Sequence, residues 1–525
     1  MNPSHCRWCV YAALFLGTIW TLIGLEALFN PYLYPFPPDS ASYIEMARQL
    51  MAHHAPWVTP WDPSPEADAI PQLLFPPGFA VLIALFGIFT SDAAQASLWV
   101  VHVFAALIPV TLVWMFDGLL SRRALLMLGV LTLFGAGMVQ MQHFAYSDVP
   151  TVFFEMVAIG AIVKALQANP QSPVPSAWWW VAGVAIGLAY DCRNAAVAVV
   201  LAVGAWFVCQ WWQSRSQRGA WWQAALRVGC GFLIPASVLW VYNWVEFHAL
   251  QPYVMPPSER SAYLNLLDLG HAISRDVGIP PTLLPAPWCL VVLVVWWILA
   301  VQGYWRLRNE AIGGVVLLGL LLVGAHESVL WWSRTKYEWG GAIEVRHTLS
   351  FTWAEYWVLA LVLYRQAPEL RRRQLGTAAV LSLIGLMSAA ASTVDDWHHW
   401  GPEPWVRLST DLSWVEQVPK EPPETMVVSN IAPFFRVQLG LPVREWELGG
   451  NEQDAIHSFQ KLNQLVAGRP TVLWLACTTY TGEYAICGDH PEDSQLKCQW
   501  IRRAYPKLLR CETTVGKQRI TPTEK

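Results

Sequence analysis

Long apolar runs recur along the first three quarters of the chain, separated by short polar turns and a few longer polar stretches. A helix needs about 20 consecutive apolar residues to cross a hydrocarbon core of roughly 30 Å. On that rule the pattern predicts 11 spans, at 10–28, 93–119, 124–142, 149–168, 176–190, 194–213, 222–247, 285–303, 310–332, 349–366 and 375–393. The first run follows Arg7, exceeds the core length of a signal peptide and precedes no small-x-small cleavage site, so it reads as a retained span with a cytoplasmic N-terminus. Phe75–Phe89 is different, because about 15 residues at 1.5 Å each reach only about 22 Å. Opened by Pro76, Pro77 and Gly78, it predicts an interfacial or re-entrant helix inside a first outer loop of residues 30–92. Past residue 393 the pattern changes period: Thr425–Ser429 and Thr471–Ala476 predict strands, with Asp454–Val466 helical between them. The expected architecture is an α-helical polytopic membrane module over residues 1–393 and a soluble extracytoplasmic α/β domain over 394–525.

Composition sharpens this picture. The 525 residues are 54% hydrophobic and 14% charged, with 32 Trp, against roughly 25% charged for an ordinary soluble domain. Residues 1–393 hold 41 charged side chains and 394–525 hold 31, so the tail is far denser in charge. A net charge of −4 offers no basic field for phosphate backbones, which excludes nucleic acid as a partner. With 11 spans, Arg122/Arg123, Arg215/Arg218, Arg306/Arg308 and Arg371-Arg372-Arg373 all fall on the side of the N-terminus, and the tail falls on the other. Counting Phe75–Phe89 as a span would invert every one of those loops. Cys477, Cys487, Cys498 and Cys511 form an even set in that tail, as disulfides in an oxidising compartment would, with three pairings open. The absence of a C-x-x-C pair disfavours zinc. Trp pairs at 211–212, 221–222 and 331–332 lie near span ends, where an aromatic belt places them. With no Asn-x-Ser/Thr sequon, the setting expected is a bacterial inner membrane with the tail in the periplasm.

The informative ionisable residues stand where outer loops meet spans. Asp39 follows Pro37-Pro38 near a helix start whose apolar positions Tyr43, Met46, Ala47 and Leu50 keep helical spacing. Asp148 opens the fourth span with Pro150 in the first turn, an N-cap pattern. Asp191 and Arg193 share a tight outer turn, where an ion pair between them is the simplest reading. Arg334, Lys336, Arg346 and His347 flank another outer loop. Carboxylates beside guanidinium groups suit a phosphate-linked donor, since Arg grips phosphate oxygens bidentately and a carboxylate can take a proton from an attacking hydroxyl.

In the order of these elements the chain resembles the GT-C polyprenyl-phosphate-sugar glycosyltransferases, the group of the protein O-mannosyltransferases and the aminoarabinose lipid A transferase. The resemblance lies in a first span, then Asp39 with Tyr43 and Ala47, Pro76-Pro77-Gly78-Phe79 opening a juxtamembrane helix, and Tyr146-Ser147-Asp148 before the fourth span. Gly187-Leu188-Ala189 then leads into Arg193, and Arg346-His347 stands where the family has Arg-Tyr. It implies Asp39 as general base or acceptor-orienting acid, supported by Tyr43, with Asp148 as second acid. Arg346 would hold the donor phosphate, with Arg193 and Lys336 supplying the contact that relatives make from a Lys before Pro-Pro, where this chain has Phe75, and His347 supporting. The implied reaction moves a sugar, with inversion, from polyprenyl phosphate to a lipid, glycan or protein acceptor. Some relatives use a divalent metal; Glu45, Glu259 and His271 lie outside the membrane, but no spacing among them assigns a site. A flippase for a lipid-linked sugar is the rival class, and would draw on Glu155, His102 and His326-Glu327 within spans. A sensory role for the tail is a third.

Overall fold

The computed structural model describes, apart from a few isolated positions and short gaps, residues 36–60, 69–120, 141–168, 176–366 and 420–446, with the strands at 471–477, 497–502 and 507–512 and scattered positions within 11–22 and 124–138. The last expected span, 375–393, lies outside the described residues, as does nearly all of the helix expected at Asp454–Val466. The chain divides into two compact units. One comprises Met1–Glu26, Leu73–Leu82 and Ser97–His399; the other comprises Ala27–Gln72, Ile83–Ala96 and Trp400–Lys525. Most of the first outer loop thus falls in the unit that holds the tail, while Leu73–Leu82 falls in the other.

The helices, in chain order, are α1 (Pro38–Met51), α2 (Gly78–Thr90), α3 (Ala93–Phe116), α4 (Asp148–Ala168), α5 (Ala177–Cys192), α6 (Val197–Gln213), α7 (Arg218–Phe247), α8 (Ala262–Asp276), α9 (Ala286–Leu307), α10 (Gly313–Lys336) and α11 (Val345–Gln366). Among the described residues six segments are long and apolar enough to cross a membrane: Ala93–Phe116, Asp148–Ala168, Asn194–Gln213, Arg215–Phe247, Pro287–Leu307 and Gly313–Lys336. The segments expected to span at 176–190 and 349–366 are helical, as α5 and α11, but are not among these six. At 13 residues, α2 is about 20 Å long and falls short of the hydrocarbon core.

Local chemistry sets several of these ends. Pro38 starts α1 with its fixed φ, Asp39 faces the positive end of the helix dipole and Arg48 the negative end. Ser176 caps α5 by accepting from the backbone N–H of Trp178 at 3.2 Å. The bundle is closest where glycines remove side chains. A Cβ on Gly183 would stand 2.1 Å from the Val228 carbonyl oxygen, and one on Gly187 2.2 Å from the ring of Pro235. Spaced four apart on α5, the two glycines bring its backbone against that of α7, as small residues do between membrane helices. Trp179, Trp206 and Trp221 then knit α5, α6 and α7 edge to face, with Trp206 and Trp221 ring centroids 5.5 Å apart at 85°.

In the second unit β1 (Trp57–Val58) and β2 (Ile70–Pro71) form a small antiparallel pair. A five-stranded sheet has the order β4-β3-β5-β7-β6. Its strands are β3 (Met426–Ser429), β4 (Val443–Glu445), β5 (Thr471–Cys477), β6 (Lys497–Arg502) and β7 (Lys507–Glu512). β3 runs parallel to β4 and β5, whereas β7 runs antiparallel to β5 and β6. Phe434, Phe435, Val443, Val472 and Trp474 form its core. Cys511 is disulfide-bonded, and the register sets Cys498 across from it on β6.

Candidate active site

In the membrane unit, the short segment Tyr146-Ser147-Asp148 gathers charge. Asp148 begins α4 and is 1% exposed. A carboxylate so buried requires a partner, and Arg193 supplies it through an ion pair to Oδ1. The pairing expected between Arg193 and Asp191 is therefore replaced. Arg193 leaves the end of α5 in extended backbone, φ −157° and ψ 125°, which turns it from the helix end that carries Asp191. Two residues before Asp148, the ring of Tyr146 lies under the guanidinium of Arg346, 5.1 Å from its centroid. Arg346, in the first turn of α11, and Arg193, beside α5, thus attend the same three-residue segment.

His347 neighbours a different arginine. Arg334, buried in the last turn of α10, contacts the His347 ring. Lys336, expected to reach the donor, is exposed at the end of α10. The cation of that loop directed inward is Arg334, which sequence order could not distinguish from Lys336. Seven residues along α4, Glu155 is fully buried with its Oε1 3.5 Å from His326 Nε2.

The second unit carries Asp39, half-buried in the first turn of α1, with Tyr43 buried one turn on, so that both stand on one helix face. Behind them lies an ion pair no sequence pattern indicates. Arg436 is 2% exposed; its Nε donates to Glu45 Oε2 at 3.1 Å and one of its terminal nitrogens to the Thr59 carbonyl at 2.6 Å. Arg48 donates in turn to the carbonyls of Arg436 and Val437, at 2.5 Å each. Glu45 also accepts from the Thr59 N–H at 2.8 Å. With Glu45 so engaged, it is not available to the metal its outer position suggested. Among the described residues no three His, Cys, Asp or Glu side chains come together as a metal-ligand set.

A second group missed in sequence is Asp276 at the end of α8. Its Oδ2 accepts from Thr352 Oγ1 at 2.7 Å, and its backbone carbonyl accepts from the Tyr356 hydroxyl at 2.8 Å. Burial raises its carboxyl above the usual range.

Gly78, in the Pro-Pro-Gly-Phe motif, touches the same neighbourhood: a Cβ there would stand 2.3 Å from the Asp191 carbonyl oxygen. Backbone on both sides leaves nothing soft to yield. Gly78→Ala is expected to destabilise the protein by about 1–3 kcal/mol, read as a lowered thermal midpoint of the purified chain; an unchanged midpoint would show that this contact relaxes freely.

Residues 87–251 match the family described as dolichyl-phosphate-mannose-protein mannosyltransferase. That stretch contains Asp148 and Arg193 and excludes Asp39 and Arg346. Among solved structures, ArnT from Cupriavidus metallidurans bound to undecaprenyl phosphate is similar with a TM-score of 0.59 and 12% identity, over 97% of this chain and 99% of that one. The archaeal oligosaccharyltransferase AglB from Archaeoglobus fulgidus, in complex with an inhibitory peptide and a dolichol-phosphate, is similar with a TM-score of 0.54 and 13% identity, over 89% of this chain and 69% of that one. At such identities the likeness is one of fold. No curated protein sequence matches the chain.

Proposed function

We propose that the chain is a membrane glycosyltransferase of the GT-C type and that it moves a sugar from a polyprenyl-phosphate donor to an acceptor at the outer face of a bacterial inner membrane. The observation that carries this reading is the pair of arginines, Arg193 and Arg346, held at the Tyr146-Ser147-Asp148 segment by a carboxylate and an aromatic face. A lipid-phosphate leaving group departs as an anion, so guanidinium groups that stabilise its growing charge matter more than a strong general acid.

In this mechanism the acceptor hydroxyl attacks the anomeric carbon, the bond from that carbon to the phosphate oxygen breaks, and the configuration inverts. Asp39 takes the acceptor proton. Asp148, paired with Arg193, orients that arginine. Arg346 binds the departing phosphate bidentately, and Arg334 with His347 supports it. The acceptor class is a lipid, glycan or protein of the envelope. Glu155 belongs to the bundle's internal pairing with His326 rather than to the reaction.

Purified protein reconstituted with radiolabelled polyprenyl-phosphate sugars and an envelope acceptor fraction tests the reading. Label is expected to move to the acceptor in the wild type, with activity reduced about 100-fold or more in Arg346→Gln. If no donor is consumed while labelled lipid crosses the bilayer in a manner abolished by Glu155→Gln, the protein is a flippase.

A further inference from the structure

On the outward side of the Trp206–Trp221 contact, α5, α6 and α7 do not close flush. An apolar groove of about 580 Å³ runs there, lined by Gly204, Val208 and Trp211 from α6 and by Trp222, Gly229 and Phe232 from α7. The two glycines make it. A Cβ at Gly204 or at Gly229 would meet nothing within 4 Å, in contrast to Gly183 and Gly187, which are filled by the neighbouring helix. Glycine in a helix interior costs about 1 kcal/mol relative to alanine, and here no protein atom occupies the space it opens.

The length and ends of the groove identify what fits. Its lining runs from Trp211 back to Val200 on α6, 11 residues or about 16 Å of helix, which is half of a 30 Å hydrocarbon core. One end is basic: Arg218 lies 4.5 Å over the Trp211 ring, and Arg215 is exposed in the turn that joins α6 to α7. The other end stops among Val200 and Phe232, about two thirds of the way along the Asn194–Gln213 span from the basic turn. A chain one leaflet long with an anionic head at its interfacial end matches both features. Trp211 and Trp222 flank the mouth at the depth where indole rings favour the interface.

We propose that this groove is a binding site for an anionic phospholipid, one acyl chain lying over Gly204 and Gly229 and the phosphate held by Arg215 and Arg218. The site is independent of the transfer reaction.

The test uses the full-length protein, purified in detergent and exposed to equal amounts of phosphatidylglycerol and phosphatidylcholine with identical acyl chains; bound lipid is counted by native mass spectrometry. The wild type is expected to retain phosphatidylglycerol in preference. A Cβ at Gly204 or Gly229 meets no protein atom within 4 Å, so Gly204→Leu/Gly229→Leu enters the groove without a backbone clash, and its thermal midpoint should hold while bound phosphatidylglycerol falls about tenfold. Arg215→Gln/Arg218→Gln should keep bound lipid but lose the preference between headgroups. Undiminished phosphatidylglycerol in the double leucine variant overturns the site, and an unchanged preference in the glutamine variant overturns the headgroup assignment.

Discussion

Asp39→Asn is expected to lower kcat for sugar transfer by about 100- to 10,000-fold, the range over which a positioned general base contributes, with little change in KM for the donor. Asn keeps the size of the side chain and its capacity to accept a hydrogen bond at the start of α1, so the helix should survive the change. What it removes is the group able to take a proton. Asp39 is suited to that task because it is half-buried and Pro38 begins the helix that fixes its direction. Buried Tyr43, one turn on, holds that face in place. Initial rates of label transfer at saturating donor separate the two constants: a fall in kcat alone marks a group used in the transition state, whereas a rise in KM alone marks ground-state binding. A wild-type rate in Asp39→Asn would move the base elsewhere, and Asp148→Asn would then be the variant to measure.

The second large effect falls on stability. Arg436→Met is expected to cost about 3–5 kcal/mol, as removing one member of a buried ion pair does, and to lower the thermal midpoint of the detergent-purified protein accordingly. The Arg436 guanidinium answers Glu45 Oε2 and the Thr59 carbonyl together. Without it the part-buried Glu45 carboxylate loses its counter-charge and the buried Thr59 carbonyl its donor. The loss should be recovered only in part by pairing Arg436→Met with Glu45→Leu, because the uncompensated charge is removed while the Thr59 N–H and carbonyl still lose their partners. If the single variant melts with the wild type, the pair adds nothing to stability. Since Glu45 lies on the same helix as Asp39, Arg436→Met should also slow transfer, although Arg436 touches no reacting atom.

Among the described residues, the long helices and the strands at Met426–Ser429 and Thr471–Cys477 were legible because each is decided within its own window of residues. A span needs only enough apolar residues in a row, and a strand needs only its short β-branched run. The brevity of Gly78–Thr90 followed from its residue count and its opening prolines for the same reason. The acids and arginines at the loop-span junctions could be collected from the sequence, yet their pairing could not. Arg193 stands two residues from Asp191 and 45 from Asp148, but it is Asp148 that it meets. Arg334 and Lys336 differ by two positions on one helix, and about 200° of rotation separates a buried cation from an exposed one.

By itself, then, the sequence determined which segments are apolar enough for lipid, which stretch is too short to cross, and which ionisable residues stand at the ends of spans, since hydrophobic transfer is summed along the chain. Tertiary structure alone decided that Arg436 closes on Glu45 across 391 residues, that two arginines converge on Tyr146-Ser147-Asp148, and that Gly204 and Gly229 open a groove while Gly183 and Gly187 close a helix pair. An ion pair or a void depends on which helix faces meet. Those faces are set by backbone approach between elements remote in the chain, a quantity that no local periodicity carries.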